Sequence, residues 1–311
     1  MAHRRCTRAV GSSAVAILAV AGLAACGSSS EPEPARTALG DDTITVASFD
    51  FPESELLAEV YGQALSGGGY DVESMHRVGP RELVGPALAR GLVEVVPEYA
   101  GTAVEFLGLG AVDGSADPTD NHDALERALA GRDLVALAPA GAEDRNTLVV
   151  TEETAARLGL RDVSDLAAAA PRLRFGGPPE CPTRPLCLPG LEQTYGLRFR
   201  EFVPLDSGGP LTVEALQADL VDVALLFTTD PAIGSGLVAL DDDRGLQPAE
   251  NVTPIVHREV LRRWGRGPAD RIDGVSGRLT TEVLRDLNAE VAGGRRPADV
   301  AGAWLEREGL G

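Results

Sequence analysis

From Thr43 onward, short β-branched stretches alternate with segments of helical periodicity, and this alternation confines the chain to an α/β architecture with mostly parallel sheet. Ile44–Ala47 reads as a first strand. Asp50-Phe51-Pro52-Glu53 then reads as a helix start, with a capping acid and an early proline. Leu56, Leu57, Val60, Tyr61, Ala64 and Leu65 recur at helical spacing until Gly67-Gly68-Gly69 stops the helix. Further strands are expected at Tyr70–Met75, Leu92–Val96 and Leu134–Ala138, with helices at Pro80–Arg90 and near His122–Ala130. A second unit begins near Arg145, with strands at Thr147–Val150, Leu173–Gly176 and Phe199–Val203. The helix Val213–Leu220 leads into Val221–Phe227, a continuous apolar run of the kind found in buried strands. After Asp230-Pro231 come a strand at Val252–Val256 and two amphipathic helices, Thr281–Ala292 and Pro297–Glu308. Two α/β lobes follow, the second inserted into the first.

All 28 basic side chains are arginine. The lack of lysine excludes Schiff-base and pyridoxal-phosphate enzymes and Walker-type phosphate loops, each of which needs an amine in a fixed role. A formal charge of −19 argues against a nucleic-acid partner. No G-x-S-x-G elbow or Ser-His-Asp spacing supports a hydrolase, and no cofactor is called for.

The N-terminus reads as an export signal over residues 1–25: Arg4, Arg5 and Arg8 precede the apolar run Ala14–Ala21, which is shorter than the ~20 residues of a membrane span. Leu23-Ala24-Ala25-Cys26-Gly27 looks like a bacterial lipobox with Cys26 as the lipidated residue; an ordinary signal-peptidase site is the alternative. Residues 26–42 have the composition of a flexible tether. Cleavage removes three arginines and no acids, so the mature body is more acidic still. Such a body is attached to the membrane by its lipid and repelled from an anionic lipid surface.

With Cys6 cleaved and Cys26 lipidated, Cys181 and Cys187 remain. In an exported protein they read as a disulfide closing a short Pro-rich loop. A metal site competes, but His3, His76, His122 and His257 are scattered far from both cysteines.

Several ordered stretches carry a family resemblance. They are Ile44–Ser54, Pro80-Arg81-Glu82-Leu83-Val84, Pro97-Glu98-Tyr99-Ala100-Gly101-Thr102, Asp144-Arg145-Asn146-Thr147, Pro179–Arg184 and Phe227-Thr228-Thr229-Asp230-Pro231. Together they resemble the glycine betaine/choline-type substrate-binding proteins of ABC importers, from roughly Thr43 to Leu310. The resemblance implies a bilobal periplasmic-binding-protein (Venus-flytrap) fold. Lobe I would comprise residues 43–143, lobe II residues 144–229, and the return segment of lobe I residues 230–311. It also implies a protein that is not an enzyme. Held at the extracytoplasmic face of the cell membrane by its lipid, it would capture a quaternary-ammonium compatible solute and pass it to a permease driven by a separate ATPase. Two other readings are a surface sensor or scaffold with the same fold and a binder of another betaine-like ligand such as ergothioneine.

A trimethylammonium head has no N–H to donate, so aromatic faces and nearby carboxylates must hold it, at up to ~2 kcal/mol per desolvated ring. By family position, Tyr99 is the leading cage residue, with Phe227 and Phe51 as partners. Thr102 would offer a hydroxyl and Asp144 an acid for the ammonium. Arg184 would face a ligand carboxylate, and Ser48 and Asn146 complete the expected set. The family often has lysine where Phe49 stands and tyrosine where Asn146 stands. With aromatics at 4% of residues, this points to a cage of fewer than four rings, lined in part by aliphatic groups.

Overall fold

The computed structural model describes residues 42–107 and 117–311; the signal segment, the tether and Cys26 lie outside the described residues. In chain order the first part contains β1 (Thr43–Phe49), α1 (Pro52–Gly67), β2 (Asp71–Gly79), α2 (Arg81–Ala89), β3 (Val95–Tyr99), α3 (Ala100–Phe106), α4 (Pro118–Leu129) and β4 (Leu134–Ala136). The middle part contains β5 (Asn146–Thr151), α5 (Glu152–Leu158), β6 (Arg174–Gly177), α6 (Leu188–Tyr195), β7 (Glu201–Pro204), α7 (Pro210–Gln217), β8 (Val223–Phe227) and β9 (Leu237–Ala239). The chain ends with β10 (Val252–His257), α8 (Arg258–Trp264), α9 (Gly267–Ser276), α10 (Thr281–Ala292) and α11 (Pro297–Glu308).

Two five-stranded sheets organise the molecule, in the orders β2-β1-β3-β10-β4 and β7-β6-β8-β5-β9. The return of β10 between β3 and β4 makes the middle part an insertion in the first lobe. Both sheets are mixed. β10 runs antiparallel to β3 and β4, and β5 runs antiparallel to β8 and β9, whereas the sequence pattern suggested mostly parallel strands. The reason is topological: each lobe is entered by a chain arriving from the other, which reverses the usual crossover direction. The second sheet also takes in β9, with Val149 opposite Ala239, so its strand pairing runs past the expected boundary at residue 229.

The first sheet is covered by α1, whose side chains Leu56, Leu57, Val60, Tyr61 and Leu65 are wholly buried. The expected capping acid is absent: Phe51 is the N-cap residue and makes no side-chain cap, while Asp50 pairs with Arg77 at 2.9 Å. The second sheet is packed on both faces. Phe175, Leu148 and Leu166 lie on one side, and Val149, Leu216 and Leu226 on the other, which explains the near-continuous apolar runs of its strands.

Two segments link the sheets. They lie side by side between β4 and β5 and between β9 and β10, bridged by Asp144 N donating to Glu250 O at 3.1 Å and Val252 N to Ala142 O at 3.0 Å. No helix among the described residues is long and apolar enough to cross a membrane.

Candidate functional site

The crossing segments form part of a cavity of about 520 Å³ whose walls come from both sheets, within the 300–1,000 Å³ typical of small-molecule sites. Phe49, Phe51, Tyr99 and Thr102 line it from the first lobe, Asn146, Arg184 and Phe227 from the second, and Asp144 and Glu250 from the crossing segments.

The rings are placed by strand ends. β1 is interrupted between Ala47 and Phe49 by a register shift against β2, which turns the chain so that Phe49 and Phe51 stack at 6.1 Å with 8° between their planes. Phe51 continues to Tyr99 at 6.1 Å and to Phe227 at 5.1 Å. One aromatic wall therefore spans both lobes, and Phe227, on the second sheet, packs against the core of the first. Phe49 adds a fourth ring to the cavity, but the Arg81 guanidinium already lies over its face at 5.0 Å. Phe106 is a fifth ring on the cavity lining.

Tyr99 closes β3 and leads directly into α3, so Thr102 projects from the first turn of that helix. Gly101 between them is required by close approach: a Cβ there would stand 2.5 Å from Pro248 Cγ and 2.8 Å from the Ala249 carbonyl. This contact brings Thr102 to Glu250, whose Oε1 accepts its hydroxyl hydrogen. Glu250 Oε2 is buried without a partner. Burial is the main influence on Glu250 and pushes its carboxyl up to about 7, against the opposing hydrogen bonds from Thr102.

Asp144 is buried as well, and its Oδ1 accepts from Thr229 N at 2.9 Å and Thr228 Oγ1 at 3.2 Å. Burial, followed by the adjacent Glu53 carboxyl, raises Asp144 well above the usual carboxylate range. Glu53, which the sequence presents as an ordinary first-turn acid, is an organising residue of the site. Its Oε1 accepts from Tyr99 OH at 2.7 Å, and its Oε2 from Thr229 Oγ1 and Asn288 Nδ2, each at 2.5 Å. Burial, then Glu53, raises the Tyr99 hydroxyl well above its normal range, so the phenol stays neutral.

The expected residues divide clearly. Phe51, Tyr99, Thr102, Asp144, Asn146, Arg184 and Phe227 converge on the cavity. Asn146 also donates to Gln247 Oε1 at 3.2 Å. Ser48 does not reach the cavity. It is fully buried, and its hydroxyl accepts the Arg77 N–H at 2.7 Å, supporting the irregularity that aims the phenylalanines. Arg184 forks onto Glu82 of α2 through Nε at 3.1 Å and Nη2 at 2.8 Å, an ion pair between the lobes. Cys181 and Cys187 are joined as a disulfide at the cavity wall, with Arg184 in the loop they close. Glu53, Glu250 and Asn288 escaped the sequence reading because their importance comes only from tertiary placement. Among the described residues, no group of three or more His, Cys, Asp or Glu side chains could hold a metal ion.

Residues 42–307 match the family model for the substrate-binding domain of ABC-type glycine betaine transport systems. A glycine-betaine-binding protein of Pseudomonas aeruginosa is 28% identical over 262 residues, covering 80% of this chain and 82% of its own. The glycine betaine-binding protein YehZ of Escherichia coli is 26% identical over 287 residues, covering 86% and 90%. The crystal structure of a glycine betaine/carnitine/choline ABC transporter superposes with a TM-score of 0.66 at 25% identity, covering 86% of this chain and 99% of that one. With this extent of match, the chain belongs to the family of substrate-binding domains of ABC-type glycine betaine transport systems.

Proposed function

We propose that this protein is the extracytoplasmic solute receptor of an ABC importer and captures a quaternary-ammonium solute of the glycine betaine, choline and carnitine class. The observation that carries the reading is the aromatic wall of Phe51, Tyr99 and Phe227, drawn from both lobes and set beside the buried acids Asp144 and Glu250. Apolar faces with carboxyl groups behind them suit a cation that cannot donate hydrogen bonds through its head. Because the wall is shared, a bound cation would tie the lobes together, and the paired crossing segments are where the lobes would turn. The closed form would be presented to a permease and its ATPase. Lipidation of Cys26 would hold the receptor at the membrane, which fits the lipobox-like Leu23–Gly27 stretch and the acidic body.

Isothermal titration of choline and glycine betaine into the protein, with free amino acids as controls, tests the ligand class. Saturable binding of a quaternary amine supports it and binding of amino acids alone refutes it. Mass spectrometry of the N-terminal peptide from the native membrane tests the anchor through a diacylglycerol adduct on Cys26.

A further inference from the structure

The charges around the cavity are unevenly matched. Arg81 is bound by Glu98 at 2.8 Å, Arg184 by Glu82 at 2.8 Å and Arg77 by Asp50 at 2.9 Å, so each lining arginine already has a carboxylate. Asp144 and Glu250, buried on the two crossing segments, have no arginine bound to them among the described residues. The site therefore holds surplus buried acid.

Asp144 and a second buried carboxyl, that of Glu53, flank Thr229, whose N–H donates to Asp144 Oδ1 at 2.9 Å and whose hydroxyl donates to Glu53 Oε2 at 2.5 Å. Two carboxyls buried this close together, with no arginine bound to either among the described residues, do not both ionise, so the pair holds a proton. Both Glu53 oxygens already accept, from Tyr99 on one side and from Thr229 and Asn288 on the other. Asp144 Oδ1 accepts from Thr229 N and Thr228 Oγ1, which leaves Oδ2 to carry the hydrogen. The proton thus resides on Asp144, the member of the pair that lines the ligand cavity.

We propose that capture of a quaternary ammonium cation against Phe51, Tyr99 and Phe227 expels the Asp144 proton to solvent, so that ligand binding and proton release are one coupled event. This rests on the ligand class proposed above. One positive charge replaces another: the cation takes up the neutralising role and Asp144 is left as a carboxylate beside it. Without that exchange, a bound cation would face a neutral Asp144 on the cavity wall, and the desolvated positive charge would lack its nearest ionised partner there.

The surroundings support the exchange. α1 presents Glu53. β3 presents neutral Tyr99, together with Glu98, whose charge Arg81 of α2 matches. The segment after β8 contributes Thr228, Thr229 and Asp230, the last itself raised by burial. From α10 come Asn288 and Arg285, whose guanidinium is turned to the Thr228 carbonyl at 3.3 Å. The crossing segments add Glu250, with Thr102 of α3 bound to it, and an Arg145–Glu143 ion pair at 3.2 Å. The nearby cations are therefore engaged elsewhere, and a ligand cation is the natural counter-charge.

The test is titration calorimetry of the full chain with choline and with glycine betaine at neutral pH, in buffers of differing ionisation enthalpy. The slope of observed heat against buffer ionisation heat counts the protons released. The wild-type protein should release a measurable fraction of a proton per bound ligand, and affinity should rise with pH, by at most about tenfold per pH unit, wherever Asp144 is protonated in the free protein and ionised in the complex. Asp144→Asn keeps the size of the side chain but has no proton to give, and should cut the count by at least half. Should the asparagine variant bind too weakly to titrate, infrared difference spectra of the wild-type protein should show a protonated carboxyl band disappearing on ligand addition. Tight binding with no proton release, or a count unchanged in Asp144→Asn, overturns the proposal while the ligand class stands. Failure of both compounds to bind overturns the two together.

Discussion

Tyr99 donates its phenolic hydrogen to Glu53 Oε1 across 2.7 Å, joining the end of β3 to the first turn of α1. The contact is buried, with Tyr99 only 6% exposed, so the leading cage residue is also a packing residue of the first lobe. Tyr99→Phe should keep the ring but leave Glu53 short of a donor, costing about 1–3 kcal/mol in chemical denaturation. Affinity for a quaternary amine should fall by less than about tenfold. Tyr99→Ala should also leave a cavity, costing about 3–5 kcal/mol, and should lose far more affinity.

The Cys181–Cys187 disulfide closes a loop that contributes Arg184 to the cavity wall, and Gly190 just beyond it has no room for a side chain, since a Cβ there would stand 2.2 Å from the Pro185 carbonyl. Replacing both cysteines by serine should destabilise the protein by about 2 kcal/mol, as expected for so short a loop. The measurement is a pair of urea titrations, and the same double variant should bind ligand more weakly. Both thiols should resist alkylation in the native protein until a reductant is added.

Glu250 makes stability depend on pH. Burial raises its carboxyl in the folded chain to about 7 from an ordinary 4.5. The folded state therefore keeps a proton that the unfolded chain has already released. This contribution is fully present below about pH 4.5 and is lost as pH rises through about 7, to the extent of about 3 kcal/mol. Glu250→Gln should flatten that part of the pH–stability curve and make the variant more stable than wild type at about pH 8. An unchanged curve in denaturation across this window would count against the assignment.

Arg184 joins Glu82 across the cavity mouth, where the two side chains are 27% and 44% exposed. A partly solvated pair of this kind contributes at most about 1 kcal/mol. Arg184→Ala should therefore weaken choline and glycine betaine alike, by less than about tenfold, and the effect should shrink in high salt. A large loss for glycine betaine alone would instead return Arg184 to the role of partner for a ligand carboxylate.

Much of the fold was legible because its strands and helices announce themselves locally. Thr281–Ala292 and Pro297–Glu308 have helical periodicity and clear ends, and they coincide with α10 and α11. The strand expected at Leu92–Val96 instead occupies Val95–Tyr99, since Val93 and Val96 are buried whether they lie in the turn or the strand. The short helices α8 and α9 went unseen, their seven and ten residues being rich in arginine, glycine and aspartate. At the site, family position found the aromatic residues. Glu53 was hidden because an acid two residues into a helix has a sufficient local explanation. Only the meeting of α1 with β3 and α10 makes it the acceptor for Tyr99 and Asn288. Ser48 showed the converse, a residue in a matching stretch whose hydroxyl serves the backbone.

The most direct test of the account compares choline with its neutral carbon isostere, in which a tert-butyl group replaces trimethylammonium, by titration calorimetry on the full chain. The two ligands share shape and apolar area, so any difference reports the positive charge against the rings and acids of the cavity. The account predicts that choline binds saturably and the isostere at least about tenfold more weakly. Equal affinity for both, or no binding of choline or glycine betaine, would contradict it.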